Sequence, residues 1–223
     1  KEILNKERLK QYGGKVRLYD GIKGWFRRIN AYGEKRGILV EHYIISSGLR
    51  EIIEGTAIAK DFTHIYASSF YYNEHGEPCW PAQVINYTNK TQFLFRIEKG
   101  ILDINDNAVN DHFAEGELRV PFRNIVYIGD SATDIPCMRL VNSLGGHSVG
   151  VYDLENTDSK DTVRRMIRDE RIRYYVPADY TKGSEMDILM HRIIDKTAAY
   201  EVLEEKRLRD RKEAIIQHME GQS

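Results

Sequence analysis

The stretch that decides the fold of this chain reads Asn124-Ile125-Val126-Tyr127-Ile128-Gly129-Asp130-Ser131-Ala132-Thr133-Asp134-Ile135-Pro136. Its apolar first half, rich in Ile and Val, predicts a strand that is buried on both faces. Asp130 and Asp134 follow that strand, and a helical pattern begins at Ile135, with Pro136 accepted in the first turn. Open α/β sheets bind ligands beyond the carboxyl ends of their strands, which is where these two carboxylates fall. Because Mg²⁺ prefers oxygen ligands, usually one or two carboxylates with substrate phosphate, the stretch predicts a Mg²⁺ site at Asp130 and Asp134.

The same two aspartates have a structural alternative. Asp130 could be a turn residue and Asp134 a helix cap, since Gly-Asp turns are common. The rest of the chain has to decide between the two interpretations.

The composition limits the classes of function. With 223 residues, 41% of them hydrophobic, the chain can form one domain with a small accessory piece. A formal net charge of −1 gives no field of the kind a nucleic-acid binder needs. Cys79 and Cys137 are too far apart for a disulfide framework or a zinc site, which favours a reducing, cytoplasmic location. No apolar run approaches membrane-spanning length, so a membrane partner is not expected.

A second polar group follows another predicted strand. Residues 39–45 read as a strand, followed by Ser46-Ser47-Gly48 and an apolar helix start at Leu49. Hydroxyls and unpaired N–H groups at a helix N-terminus bind phosphate well, because the donors and the helix dipole both favour an anion. The alternative is an ordinary N-cap serine with a glycine for the tight turn.

A lysine marks the beginning of another predicted helix. Lys90 follows Thr88 and Asn89, and the apolar positions of that helix begin at Phe93. A cation is unfavourable at this end of the helix dipole, which favours an anionic partner for Lys90. A solvated lysine is the alternative.

The order of the elements predicts the fold class. Strands and helices alternate along the chain, which indicates an α/β fold with a Rossmann-like parallel sheet and helices on both faces. Residues 22–32 show an aromatic stripe at helical spacing, typical of core packing, with a role as the wall of a neighbouring cleft as the alternative. The charge run over residues 204–211 reads as a solvated helical face, and it leaves room for a partner surface such as that of a homodimer.

Taken in order along the chain, these groups resemble the motifs of the haloacid dehalogenase superfamily of phosphohydrolases, within its phosphoserine-phosphatase-like branch. The resemblance covers roughly residues 38–180. Ser46 corresponds to the second motif of the family, Lys90 to the third, and Asp130 with Asp134 to the fourth. Residues 62–68 and 176–180 also look like stretches from such proteins.

The resemblance implies a Mg²⁺-dependent phosphatase that acts on a small phosphorylated metabolite through an aspartyl-phosphate. Ser46, Ser47, Gly48 and Lys90 would hold the phosphate, with Ser46 and Lys90 also acting in catalysis. Asp130 would bind Mg²⁺, and Asp134 would be a further ligand or a residue that orients one. Phosphoryl transfer depends mainly on such positioning and charge neutralisation.

The sequence departs from the family pattern in its first motif. An apolar strand ending in Asp-x-Asp-x-Thr should precede Ser46, and no Asp-x-Asp does so. Asp20 follows a poor strand and lacks a partner carboxylate. We therefore expect that strand to lie upstream of Lys1, residues 1–36 to be the remnant of a helical cap, 37–200 to be the core and 201–223 to be a charged C-terminal helix.

If the strand with the nucleophile lies upstream of Lys1, residues 1–223 alone are expected to be catalytically inactive. The alternative is a catalytically inactive pseudo-phosphatase or binding module in which the first motif is truly absent. A phosphoacceptor receiver domain also uses Asp, Ser or Thr, and Lys on an α/β sheet. That class is disfavoured because its domains are much shorter and place the acidic pair before the lysine.

Overall fold

The computed structural model describes residues 4–220, which form six strands and seven α-helices. In chain order these elements are α1 Lys6–Gly13, α2 Ile22–Glu34, β1 Tyr43–Leu49, α3 Arg50–Glu54, β2 His64–Tyr72, β3 Pro78–Gln83, α4 Thr91–Lys99, β4 Val126–Gly129, α5 Ile135–Ser143, β5 His147–Tyr152, α6 Thr157–Arg168, β6 Tyr174–Pro177 and α7 Glu185–Glu220. None of these helices combines the length and the apolar composition that crossing a membrane requires.

The predicted α/β fold class is confirmed, but the strands form two sheets. In the first, of order β1-β2-β3, β1 and β2 are parallel and β3 pairs antiparallel with β2. In the second, of order β4-β5-β6, all strands are parallel. Within residues 4–220, β1 and β4 each pair with a neighbour on one side alone. The single sheet that strand order predicted is therefore divided between β1 and β4.

The core lies on both faces of the second sheet. The helical stripe of α2 buries Trp25, Phe26 and Ile29, which pack in one cluster with β5, β6 and α7. Residues of α5 and α6 form a second cluster with Tyr127 of β4. All six residues of β5 are buried, as expected for the central strand of a parallel sheet covered on both faces.

A glycine fixes the approach to α2. Gly21 has a left-handed backbone (φ 77°) at the helix N-cap, and a Cβ there would lie 2.4 Å from the backbone of Tyr180. The Tyr180 N–H donates to the carbonyl oxygen of Asp20 next to it. The left-handed backbone and the close approach to Tyr180 both require glycine at residue 21. This glycine lets the chain enter α2 in contact with the loop after β6.

The boundaries of the elements differ from the predictions in two places. The strand predicted from residue 39 begins at Tyr43, and Ser46, Ser47 and Gly48 lie within β1 instead of after it. One continuous helix, α7, crosses the predicted boundary at residues 200 and 201. The division into cap, core and C-terminal helix stays a prediction, and its ends at residues 1–3 and 221–223 lie outside the described residues.

Candidate active site

A cavity of about 810 Å³ lies between the two sheets. Its walls include Tyr43, Ile45 and Ser46 of β1 and residues 126–129 of β4. Residues of the α2 stripe also line the cavity. Helix α2 therefore packs in the core and also forms part of the cavity wall, the alternative role that its sequence left open.

The predicted site residues are brought together at this cavity, with two exceptions. Ser46, Lys90, Asp130 and Asp134 all line it. Ser47 and Gly48 are exposed and are not among its lining residues. Four positions spread over about ninety residues of sequence therefore share one site.

Contacts at both ends of the two strands that border the cavity indicate that β1 and β4 run in the same direction. At their amino ends, Arg119, which precedes β4, forms an ion pair with Glu41, which precedes β1. At their carboxyl ends, Ser46 of β1 and Asp130 after β4 line the same cavity. The polar residues thus gather at the carboxyl edge of both strands, where α/β folds bind ligands.

Lys90 and Asp134 form a buried ion pair. The Lys90 ammonium group donates a 2.7 Å hydrogen bond to Asp134 Oδ1, and both side chains are less than a tenth exposed. The Tyr127 hydroxyl donates to the same oxygen at 2.9 Å, and Ser131 Oγ donates to Oδ2 at 3.1 Å. A buried charge pair is tolerated when further hydrogen bonds satisfy it, as these do. Lys90 is therefore held in a fixed position at the cavity.

Tyr127 and Ser131 are the site residues that sequence reasoning missed. Burial, followed by the negative charge of Asp134, raises the pKa of Tyr127, so its hydroxyl keeps its proton and remains a donor. Tyr127 reads as an apolar strand residue, and nothing in its spacing indicates a polar role. Ser131 carries a weak signal, because it stands three residues before Asp134.

Gly129 is required by the position of Asp134. A Cβ at residue 129 would lie 2.8 Å from Asp134 Cγ, a separation that real Cβ atoms do not adopt. The glycine in the Gly-Asp pair thus makes room for the carboxylate that holds Lys90. This contact is a more specific reason for the glycine than a tight turn.

Asp130 differs from Asp134 in its surroundings. Its side chain is exposed, and it makes no hydrogen bond or ion pair with any of residues 4–220. Its negative charge adds to the effects of burial and of Tyr19 that raise the pKa of Tyr180 to about 12. Asp130 therefore has carboxylate oxygens available on the cavity side.

The donor set fits a single hard cation held in part by other ligands. Within the described residues, no group of three or more His, Cys, Asp or Glu side chains could hold a metal ion. Asp130 offers open oxygens, which suit a Mg²⁺ ion that keeps water and phosphate ligands. Both oxygens of Asp134 already accept hydrogen bonds, so of its two predicted roles the geometry favours the orienting one.

Ser46 lies at an irregularity of β1. The pairing with β2 shifts between Ser46, which faces Ala67, and Leu49, which faces Ser68. The Gly48 N–H donates a 3.0 Å hydrogen bond to Ser46 Oγ, which leaves the hydroxyl proton of Ser46 available to a phosphate oxygen. The helix that follows, α3, has only five residues. The expected helix N-terminus is thus a single turn, and in this segment the Ser46 hydroxyl is the donor that lines the cavity.

Asp20 does not join the site. Its side chain is exposed and is not among the residues that line the cavity. It therefore offers no replacement for the carboxylate pair of the first motif.

Comparison with known proteins agrees with this geometry. The family model described as haloacid dehalogenase-like hydrolase matches residues 4–139, more than half of the chain. The chain is also similar to a protein of Borreliella burgdorferi described as uncharacterized. The two are 25% identical over 202 residues, which cover 83% of this chain and 69% of that protein.

Proposed function

Because this chain belongs to the haloacid dehalogenase-like hydrolase family, we propose that its intact form is a Mg²⁺-dependent phosphatase acting on a small phosphorylated metabolite. One observation carries the proposal. Ser46, Lys90 and Asp130, distant in sequence, line one cavity at the carboxyl ends of two parallel-running strands. A hydroxyl donor, a fixed ammonium group and an open carboxylate together suit a phosphate ester and its metal ion.

Each residue has a distinct part in this proposal. Ser46 donates its hydroxyl proton to a phosphoryl oxygen and positions the group. Lys90, which Asp134 holds in place, offsets negative charge on the phosphoryl oxygens and on the attacking carboxylate. Asp134 is a positioning residue, since it acts through Lys90.

Asp130 would hold the metal ion. When bound, Mg²⁺ would neutralise charge on the phosphoryl oxygens. The exposed position of Asp130 leaves room for the water and phosphate ligands that Mg²⁺ retains.

The Asp-x-Asp pattern that the family uses for its nucleophile does not occur in residues 1–223. Asp20 lies outside the cavity. That observation favours a second candidate, a catalytically inactive relative that binds phosphorylated ligands or partners without turning them over.

The test is performed on the protein purified under native conditions from the cells that make it. Intact mass and Mg²⁺-dependent phosphate release from a panel of small phosphate monoesters are measured on the same sample. We expect a mass above 25.9 kDa, an Asp-x-Asp peptide in the digest, and phosphate release that a chelator abolishes. A mass of 25.9 kDa with no release from any ester would contradict the phosphatase and support the inactive relative.

A pair of matched variants tests the assignment of Asp130. Asp130→Asn should abolish Mg²⁺-dependent release while the protein remains folded, because it removes a metal ligand and no internal contact. Asp111→Asn, at an exposed position that is not among the cavity-lining residues, should retain full activity. Equal turnover in the two variants would refute the assignment.

A further inference from the structure

We propose that the protein forms a two-fold symmetric dimer through the open edge of β6, with β6 of one copy antiparallel to β6 of the other. The surface involved is a depression of about 510 Å³, the β6 groove, which lies beside residues 174–176 and between Ile167 of α6 and residues 185–192 of α7. Among the described residues, none that lines this groove also lines the candidate active site. The inference is therefore independent of the proposed function.

The backbone of β6 can accept a second strand. Within residues 4–220, β6 pairs with β5 alone. The Ala178 N–H donates to the Tyr152 carbonyl oxygen of β5 at 2.8 Å. Backbone groups point alternately to the two sides along a strand, so the N–H and C=O of Tyr175, three residues earlier, point to the open side. With a two-fold axis at Tyr175, each copy donates this N–H to the Tyr175 carbonyl oxygen of the other.

The face of α7 that borders the groove carries a charge of opposite sign at each end. Glu185, Ile188 and Arg192 are three and four residues apart, so they lie in one row that extends about 10 Å along the helix. Ile188 stands near the middle of the row, with 52% of its surface exposed. Glu185 and Arg192 are exposed and make no hydrogen bond or ion pair with any of residues 4–220. Both charges are therefore available to a partner.

This row runs opposite to β6. Burial, followed by the negative charge of Glu185, raises the pKa of Tyr152, and Tyr152 pairs with Pro177. Glu185 thus lies near the carboxyl end of β6. Arg192 lies about two turns further along α7, and Arg173, which also lines the groove, directly precedes the amino end of β6. The groove is therefore acidic at one end and basic at the other.

Two-fold symmetry makes this order of charges self-complementary. Rotation about an axis perpendicular to the sheet at Tyr175 keeps both copies of α7 on the same face and reverses the second row. Glu185 of each copy then faces Arg192 of the other, and Ile188 faces Ile188 between the two ion pairs. A surface that complements itself in this way is what a two-fold interface requires, so a second copy is the occupant that the charges select.

The affinity of such a dimer would come mainly from apolar side chains. Exposed ion pairs contribute little affinity and mainly fix the orientation. On the α6 face, Tyr175, which is 38% exposed and contacts the ring of Tyr152, would lie beside Tyr175 of the second copy. On the α7 face, Ile188 and Leu189 would be covered. Apolar surface is therefore removed from water on both faces of the joined sheet.

The test measures the dimer dissociation constant of the purified chain by sedimentation equilibrium. We expect a reversible dimer that Glu185→Arg and Arg192→Glu, each alone, weaken at least about tenfold, because each places like charges opposite one another in both symmetric contacts. The double variant should recover most of the lost affinity. An equimolar mixture of the two single variants should do so as well, since opposite charges again face each other in the mixed dimer.

Two further measurements complete the test. Glu205→Arg, the same charge reversal at an exposed position in the second half of α7, should leave the dissociation constant unchanged. Circular dichroism checks that each variant is folded, as expected for substitutions at exposed positions. Exchange of the Tyr175 amide hydrogen should slow at least about tenfold when the concentration of the parent chain rises from below to above the dissociation constant.

Four results would overturn the inference. These are a chain that remains monomeric up to about 1 mM, a dimer that neither single reversal weakens, no recovery in the double variant or the mixture, and a dimer that Glu205→Arg weakens instead. The last result would place the interface on the second half of α7. None of these measurements uses phosphate release, so the inference and the proposed function can fail separately.

Discussion

Lys90 and Asp134 form a buried ion pair at the site, so a change in one affects the other. Lys90→Met would leave the Asp134 carboxylate buried without a counter-ion, although Tyr127 and Ser131 would still donate to it. We expect the free energy of unfolding to fall by roughly 3 kcal/mol, the usual cost of breaking a buried pair. Urea denaturation followed by circular dichroism measures this change.

The partner substitution provides the control for this prediction. Lys90→Met combined with Asp134→Asn should recover at least half of the lost stability, because the uncompensated charge is gone. Lys182→Met, at an exposed lysine, should stay within about 0.5 kcal/mol of the parent protein. A double variant no more stable than Lys90→Met would mean that the pair is not the source of the loss.

His147 makes stability depend on pH. It is buried, its Nε2 lies 3.2 Å from the Lys196 ammonium group, and its Nδ1 has no hydrogen-bond partner among residues 4–220. Burial, together with the charges of Lys196 and Arg173, lowers its pKa to about 4. In the unfolded chain a histidine titrates near 6.5, so between these values the unfolded state binds the additional proton. Stability is therefore present above about pH 6.5 and is lost as the pH falls toward 4.

The slope of the free energy of unfolding against pH identifies the histidine that causes this loss of stability. One proton contributes at most about 1.4 kcal/mol per pH unit, and His42, whose pKa burial also lowers to about 4, adds a similar contribution. Urea midpoints measured from pH 7 to pH 4.5 should show a smaller slope for His147→Gln than for the parent protein. The slope should be unchanged for His75→Gln, at an exposed position. Equal slopes for the parent protein and His147→Gln would contradict this assignment.

Among the elements, α7 has two halves with different packing. Its first half buries Met186, Met190, Ile193 and Ile194 in the core, whereas residues 205–218 are all exposed. Ile193→Ala should lower the free energy of unfolding by roughly 3 kcal/mol, as loss of a buried side chain with cavity formation does. Ile216→Ala, the same substitution in the second half, should change it by less than about 0.5 kcal/mol. Thermal unfolding of the two variants, followed by circular dichroism, provides the comparison.

The opposite result would be informative about assembly. A large loss at Ile216 would mean that this face is buried in solution, as it would be in a homodimer that formed through it. Sedimentation of the same two variants would then show whether the dimer is lost with Ile216→Ala and kept with Ile193→Ala.

For the molecule as a whole, the divided sheet predicts an uneven pattern of hydrogen exchange. β5 is buried throughout and pairs on both sides, so all its amides should be protected. β4 pairs on one side only, so its protection should alternate from residue to residue. Exchange measured by NMR on the free chain should give exchange rates in β4 that differ by at least about tenfold between neighbours. Continuous protection in β4 would mean that its second edge is already covered.

Several features of this protein were determined by the sequence alone, through patterns that extend over a few residues. These are the α/β alternation, the buried stripe of α2, the strand that ends at Gly129 directly before Asp130, and Lys90 at the beginning of α4. Each depends on periodicity or turn chemistry within a few residues, which a sequence displays directly. The family was predicted in the same way, from the order of such short motifs, and the match over residues 4–139 confirms it.

Only the tertiary structure decided how those features meet. The hydrogen bond between Lys90 and Asp134 joins residues that are 44 apart in the sequence. It makes Asp134 a support for the lysine, whereas the sequence allowed either a metal ligand or an orienting residue. Ser46 lies within β1 because pairing with β2 extends to Leu49, a contact that no local pattern specifies. The division of the sheet between β1 and β4 is also a matter of long-range pairing. The unpaired backbone N–H and C=O groups of a strand edge can pair with any strand that lies next to them. The residues of the edge strand do not specify which strand that is.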